Sequence, residues 1–495
     1  MSSLPPWLAQ LLPILILLGA IALVLARLPK VELGHTDAFR RRRFFNWFPL
    51  GMTYAFLYMG RYNVNVATSA MGDRTSNADF GTIFFWGTLV YGFSFLLNGP
   101  LTDRWGGRKT ILISAAGSSA ANIAMGGVVY AVLTQGWTPP GGLVATLSFL
   151  YAVNMYFQSF GAVSIVKVNA SWFHVRERGQ LGGVFGILIS LGVYFAYDWS
   201  RIIVKAAPTY WAFFVPAAVL AAFFVLDYFV IRDTPGQTGH PDFDTADASS
   251  GDTGPQLGVK AVFLRMIRNP TIIVILLIEF CSGFMRNAIM QWYPKFAKST
   301  GIAESFVPAN WGMLLCVAGI MGGMFAGLIS DRVFSSRRGP VSAVLYGGMS
   351  LGAVATLFLL QSPALGWTVI FMSLCVIGVH GMLSGTASMD FGGKKNAGVA
   401  VGIIDGAVYA GTALQSILLG SILPAGDLAK DPANWGKWPV AMLPLSFAGL
   451  LLATRVWNAR PQPKATPVPA TVPVPSAAPA AGSGSGSGSK TGTGG

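Results

Sequence analysis

Tyr54-Ala-Phe-Leu-Tyr-Met-Gly-Arg-Tyr-Asn-Val-Asn65 is the stretch from which the rest of this chain is read. It lies inside a hydrophobic run over about residues 44–70, long enough to cross a bilayer as a helix. Arg61 falls near the middle of that run, where a lone guanidinium costs between about 3 and more than 10 kcal/mol. Such a residue faces a wet cavity or a charged partner. Tyr54 and Tyr58 precede it by seven and three residues, which puts all three near one helical face. A second stretch, Glu279-Phe-Cys-Ser-Gly-Phe-Met-Arg286, repeats the arrangement within an apolar run over about 270–297. Two intramembrane arginines in two matching helices point to an anion site.

Composition agrees with a membrane reading. Apolar residues make up 53% of the chain and charged residues 11%, against about 25% charged in soluble domains. A first apolar segment covers about 5–25. Twelve more follow at roughly 44–70, 79–102, 109–133, 142–169, 180–204, 208–231, 268–297, 307–330, 340–361, 366–391, 396–423 and 437–457. The pattern is that of an all-α polytopic membrane protein. The net charge of +14 is carried by short clusters between these runs, which argues for cytoplasmic loops and against nucleic acid. Arg104, Arg108 and Lys109, then Arg176 and Arg178, then Arg332, Arg337 and Arg338, then Lys394 and Lys395 all fall on one side. Connections on the other side, such as 134–141 and 361–366, carry no Lys or Arg. The basic side is therefore expected in the cytoplasm. The first segment has no Lys or Arg before Arg27 and is followed by Lys30 and Arg40 to Arg43. That places its N-terminus outside and reads as an uncleaved extra helix rather than a signal peptide. Cys281, Cys316 and Cys375 lie far apart within apolar runs and suggest neither disulfides nor a metal site.

Internal repetition fixes the expected architecture. Gly99-Pro-Leu-Thr-Asp-Arg-Trp-Gly-Gly-Arg-Lys109 closes the second of the twelve segments, and Gly327-Leu-Ile-Ser-Asp-Arg332 closes the eighth. Asp103 and Asp331 stand 228 residues apart, Arg61 and Arg286 225 apart. Near-equal offsets predict two six-helix halves, with a substrate site between them near the midplane. The divisions are 1–39, an extra transmembrane helix and linker; 40–231, the N-terminal half; 232–265, a cytoplasmic linker rich in Gly, Asp, Thr and Pro; 266–460, the C-terminal half; and 461–495, a disordered Pro/Ala/Gly/Ser tail. Asp103, Arg104, Arg108, Asp331 and Arg332 are expected to gate the cytoplasmic side. Asp103 would accept hydrogen bonds from an arginine or a helix N-terminus.

Gly99 to Lys109 resembles the loop signature of the major facilitator superfamily. Within it, Tyr54…Tyr58…Arg61-x-Asn63 and Phe284-Met-Arg286…Trp292-x-Pro294 resemble the organophosphate:phosphate antiporters, the glycerol-3-phosphate and hexose-phosphate transporters. Ser171-Trp-Phe…Glu177-Arg-Gly179, Arg232-Asp-Thr-Pro235…Gly239-His-Pro241 and Asp390…Lys394-Lys-Asn-Ala-Gly398 are similar to other loops of that family. The resemblance spans about Arg40 to Arg455. It implies the major facilitator fold and substrate contacts from Arg61, Arg286, Tyr54, Tyr58 and Asn63. Lys167 stands where the family often carries a cation. Departures are Phe95 in place of a lysine, Ile189 in place of a histidine, and Gly283 in place of a tyrosine.

A guanidinium offers paired donors that fit a phosphate or carboxylate and stays charged at any relevant pH. The expected function is exchange of a small organic phosphate for inorganic phosphate by alternating access. The alternatives are a proton-coupled carrier of another organic anion and a membrane sugar-phosphate sensor. Glu279 and Asp405 are acids within apolar runs, candidates for charge pairing or proton carriage. Glu279 is expected to pair with Arg286 and Asp405 to be the better proton carrier. Lys167 attracts anions or snorkels, and His380 reads as a packing residue. No nucleophile motif, phosphate-binding glycine loop or metal cluster is present, so no enzymatic activity and no cofactor are expected. A monomer in the bacterial inner membrane, with its C-terminus cytoplasmic, completes the expectation.

Overall fold

The computed structural model describes residues 6–27, 33–174, 177–245, 258–334 and 338–458, and the described part is helical, with no strand among its residues. The tail expected to be disordered lies outside the described residues, as do residues 246–257 of the central connection. The helices are α1 (Pro6–Arg27), α2 (Asp37–Ala70), α3 (Asn77–Trp105), α4 (Gly107–Gln135), α5 (Gly142–Trp172), α6 (Arg178–Tyr194), α7 (Ser200–Ala206) and α8 (Trp211–Val230). After the central connection come α9 (Val259–Ile267), α10 (Pro270–Ser299), α11 (Phe306–Ala309), α12 (Trp311–Val333), α13 (Arg338–Leu359), α14 (Ala364–Ile422) and α15 (Lys437–Arg455). A π-helical stretch, Phe195–Trp199, joins α6 to α7. Here α2–α8 are called the N-terminal group and α10–α15 the C-terminal group. The near end of the bundle is where α2 begins, and the far end is where it finishes.

Among the described residues, eleven helical stretches are long and apolar enough to cross a membrane. The protein is a multi-pass membrane protein. α2 is not one of the eleven, because Arg61, Asn63 and Asn65 lower the hydropathy of its apolar run. Its polar side chains are buried against other helices: Arg61, Asn63 and Asn65 are all 0% exposed. The helix begins earlier than its apolar run. The Thr36 hydroxyl accepts from Phe39 N–H, an N-cap that draws the arginine run into the first turns. Within and just beyond the central connection, residues 259–267 are helical.

α14 contains two spans, Ala364–Leu383 and Gly402–Ile422. Gly366 meets Tyr293 and Val307, and Gly420 meets Gly81, all towards the far end. The chain therefore descends and returns within this one helical stretch. Glycines set the closest approaches. A Cβ at Gly283 on α10 would lie 1.9 Å from Val408 O on α14, and one at Gly411 on α14 would lie 2.0 Å from Phe280 O on α10. Mutual glycines let these two helices touch backbone to backbone, and a tyrosine at Gly283 has no room. α1 lies against α6 and α12, one helix from each group.

Candidate functional site

Arg61 is anchored from three sides. Its Nε donates to Gln158 Oε1 on α5 at 2.8 Å, one terminal nitrogen donates to the Tyr91 hydroxyl on α3 at 2.9 Å, and the other donates to the Tyr409 hydroxyl on α14 at 3.1 Å. The Tyr91 and Tyr58 rings lie 4.3 and 4.6 Å from its guanidinium carbon. These acceptors are all neutral, and the ring faces supply the rest of the stabilisation. A buried cation satisfied this way keeps its attraction for an anion.

Behind Arg61 runs an amide ladder. Asn63 donates to Asn122 Oδ1 at 2.8 Å, Asn122 and Gln158 each donate to Asn154 Oδ1 at 3.3 Å, and Asn122 and Asn154 also donate to Gly60 O. The ladder fixes Gln158 and hence the guanidinium. Asn63 also donates to Ala212 O at 2.9 Å. It joins α2 to α4 and α8 and is not brought to the arginine site, contrary to its expected contact with substrate.

Arg286 sits near the middle of α10, half-buried, with its guanidinium carbon 6.0 Å from the Tyr409 ring. Its Nε finds no hydrogen-bond partner. Tyr409 thus takes a hydrogen bond from the arginine of one group and lies near the arginine of the other. Tyr54 and Tyr58 pack edge to face at 5.3 Å, with Tyr58 also against Arg61. Phe95, where the resemblance implied a lysine, packs on Tyr91 and Tyr409.

Far-end contacts join the two groups. Asn65 donates to Gln291 O and Oε1 at 2.9 Å, and Tyr197 donates to the same Oε1 at 2.9 Å. Lys295 donates to the Ser69 and Thr68 hydroxyls at 3.2 and 3.4 Å, and Lys298 donates to Ser69 O. Asp198 accepts from Gly312 N–H at 2.8 Å and Met313 N–H at 2.9 Å, so it caps α12 from the other group. Arg201 and Lys205 pair with Glu304 at 2.8 and 2.9 Å. The Lys205 and Arg201 donors hold its carboxyl below the usual glutamate range. A cavity of about 230 Å³ remains between these residues, lined in part by Asn65, Tyr197, Arg201 and Lys298. Every inter-group hydrogen bond named here lies level with Arg61 or beyond it towards the far end. Charge counting missed Arg201, Lys205, Lys295 and Lys298, basic residues placed at the far end by local partners.

At the near end, Asp103 accepts from Lys167 at 2.8 Å, so its partner is a lysine of the same group rather than an arginine or a helix terminus. Asp233 instead caps α4, accepting from Arg108 N–H at 2.8 Å, while the Arg108 side chain donates to Tyr228 O. Arg104 and Arg332 are exposed, and the side chain of Asp331 lies outside the described residues. Glu279 pairs with His380 at 3.0 Å, which corrects both the expected Glu279–Arg286 pair and the packing role read for His380. Asp405 is half-buried on the second span of α14, one turn from Tyr409.

A polytopic helical bundle with an intramembrane arginine from each of two helix groups defines a membrane carrier of the two-group type. The Major Facilitator Superfamily model matches residues 50–416, and the chain belongs to that family. The chain is 25% identical over 448 residues to the glycerol-3-phosphate transporter of Bacillus subtilis (strain 168), covering 85% of this chain and 94% of that protein. It is 24% identical to a probable hexose phosphate transport protein of Chlamydia trachomatis, covering 86% and 92%. It is also 24% identical to the membrane sensor protein UhpC of Escherichia coli (strain K12), covering 81% and 89%. These relatives are transporters and a sensor, not enzymes. Among solved structures, a bacterial homologue of the human lysosomal transporter Spinster in an inward-facing conformation aligns with a TM-score of 0.61 at 13% identity, covering 86% and 98%. A D-xylose–proton symporter aligns with a TM-score of 0.59 at 15% identity, covering 83% and 97%. At these identities the likeness concerns the fold.

Proposed function

We propose that the protein exchanges a small organic phosphate, of the glycerol-3-phosphate or sugar-phosphate kind, for inorganic phosphate by alternating access. One observation carries this reading: Arg61 and Arg286, from opposite helix groups, meet around Tyr409, with the Nε of Arg286 left without an acceptor. The names of the relatives support the phosphate class. Tyr54 and Tyr58 line the site beside Arg61. The halves at 40–231 and 266–460 move against one another, and substrate draws them together through the two arginines. The near end is cytoplasmic, α1 crosses the membrane with Met1 outside, and the carrier works as a monomer in a bacterial inner membrane. Near-end gating falls to Asp103 with Lys167, and to Arg108 with Asp233.

The test is counterflow in proteoliposomes loaded with inorganic phosphate, following labelled glycerol 3-phosphate and glucose 6-phosphate. Uptake that needs internal phosphate supports the reading. Arg61→Lys and Arg286→Lys should each abolish most of it, because an ammonium keeps the charge and loses the paired-donor geometry. Wild-type exchange in both variants refutes the two-arginine site. Binding with negligible flux means a sensor instead.

A further inference from the structure

Glu279 on α10 is 0% exposed. Its Oε2 lies 3.0 Å from His380 Nδ1, on the first span of α14, and its Oε1 has no hydrogen-bond partner. His380 keeps 26% of its side chain exposed, on the near half of the bundle. A structural ion pair in a membrane interior is best served by a permanently charged partner. Imidazole is instead the side chain that changes charge near neutral pH. One shared proton leaves this pair neutral, either as carboxylate with imidazolium or as carboxylic acid with imidazole. A second proton makes it cationic.

The groups facing the pair set what a second proton costs. Arg286 comes from α10, Tyr346 from α13, and Asp405 from the second span of α14. Arg286 lies two turns along α10 from Glu279, a rise of about 10 Å. At that separation, and at an effective dielectric constant of about 20, one charge changes proton affinity on the order of tenfold. Asp405 favours the second proton and Arg286 opposes it, and an anion bound to Arg286 removes that opposition.

We propose that Glu279 and His380 form a proton-binding site linked to Arg286, which takes one proton from near-side water when an anion binds. This rests on the reading of Arg286 as an anion site and adds a coupling ion to it. Linkage makes the effect reciprocal, so protonation of the pair tightens anion binding equally. The far-end contacts leave this exchange to near-side water. The step is a proton transfer: hydronium or a buffer acid on the near side gives up a proton, an O–H or N–H bond forms at the pair, and the reverse follows when the anion leaves.

The experiment measures proton uptake by the purified full-length protein in weak buffer between about pH 5 and pH 8. Inorganic phosphate, glycerol 3-phosphate or succinate is added, and a pH-indicating dye reports uptake. Wild type, Glu279→Gln and His380→Asn are compared, so the anion's own titration cancels in the difference. The expected result is up to one excess proton per bound anion in wild type. Anion affinity should fall by up to about tenfold per pH unit beyond its fall in Glu279→Gln, the limit for one linked proton. Infrared difference spectra of wild type should show a carboxyl band that changes with pH and on anion binding. This second readout decides the matter even where a variant fails to fold. Equal proton uptake in wild type and Glu279→Gln overturns the proposal, as does a carboxyl band indifferent to both pH and anion. A phosphate ester that binds without an excess proton overturns the coupling and leaves the organophosphate reading intact. Succinate that binds with the excess proton, while no phosphate binds, sustains the coupling and defeats the organophosphate reading.

Discussion

Two acidic contacts close the far end, and their surroundings predict unequal weight. Asp198 gives both carboxyl oxygens to backbone N–H groups in the first turn of α12, at 2.8 and 2.9 Å, across the boundary between the groups. A hydrogen bond to a charged acceptor contributes about 1.5–3 kcal/mol. In the open state both partners return to water, so the two bonds count as their net value, about 3 kcal/mol at the low end. Removing them in Asp198→Ala should raise the open-to-closed ratio at the far end by about 100-fold, at about 1.4 kcal/mol per factor of ten. Glu304 also makes two contacts, with Arg201 and Lys205, but its side chain is 72% exposed. Surface pairs of this kind contribute about 0–1 kcal/mol each, so losing both in Glu304→Gln should shift the ratio by less than Asp198→Ala does, and by no more than about 30-fold. Asp198→Asn, which keeps an acceptor and loses the charge, should fall between. The assay is pulsed electron spin resonance on labels at Gln135 and Gln361, exposed residues near the far ends of α4 and α13. The population at longer separation should be large in Asp198→Ala and smaller in Glu304→Gln. Equal populations in the two variants, or a larger one for Glu304→Gln, would refute the assignment of the closure to the Asp198 cap.

Gln158→Leu leaves the buried Nε of Arg61 without its acceptor, which costs about 1–3 kcal/mol. The melting temperature should fall and KM for the transported anion should rise, whereas an unchanged KM would detach the amide ladder from the site. Gly283→Ala places a Cβ 1.9 Å from Val408 O, so α10 and α14 must separate between Glu279 and Arg286. Overpacking of this kind costs about 1–3 kcal/mol, and thermal unfolding together with exchange assays should show loss of both stability and transport. Deletion of residues 1–29 removes a helix whose buried contacts include Leu17 and Val24. Exchange should persist in vesicles, and a correctly inserted deletion without activity would make α1 part of the transport core.

Hydropathy made the spans legible because each apolar run had to be long enough for a bilayer. It misplaced the start of α2, where a cap and an amphipathic arginine run extend the helix beyond its apolar part. It could not separate a helical linker segment from coil at residues 259–267. Arg61 and Arg286 were legible because a guanidinium in an apolar run needs a reason. Tyr91, Gln158 and Tyr409 were not, since a hydroxyl or an amide in such a run is ordinary. Asn154 and Gln158 did carry a signal, two amides one helical turn apart. The Glu279–His380 pair bridges 101 residues of sequence, a separation that spacing on a single helix cannot reveal.

Magnitudes bear on why the reading of the site requires an arginine from each group. Moving a two-state carrier from 1:99 to 99:1 takes about 5.5 kcal/mol of differential binding. Only bonds added on closure count towards it, since a ligand held equally in both states shifts nothing. An anion on Arg286 alone would bring its two charge-assisted bonds to both states and leave the equilibrium where it was. Arg61 lies in the other group and is held by neutral acceptors, Gln158, Tyr91 and Tyr409. On closure it can exchange neutral partners for an anionic one. Only the difference between an anionic and a neutral acceptor counts at each exchanged donor, so two such exchanges supply part of the required range. On the proposed reading the exchange centres on Tyr409, whose hydroxyl occupies one Arg61 donor while its ring lies 6.0 Å from the Arg286 guanidinium. On that reading, an anion entering between the arginines would displace that hydroxyl from Arg61 and take its place as the link between the groups.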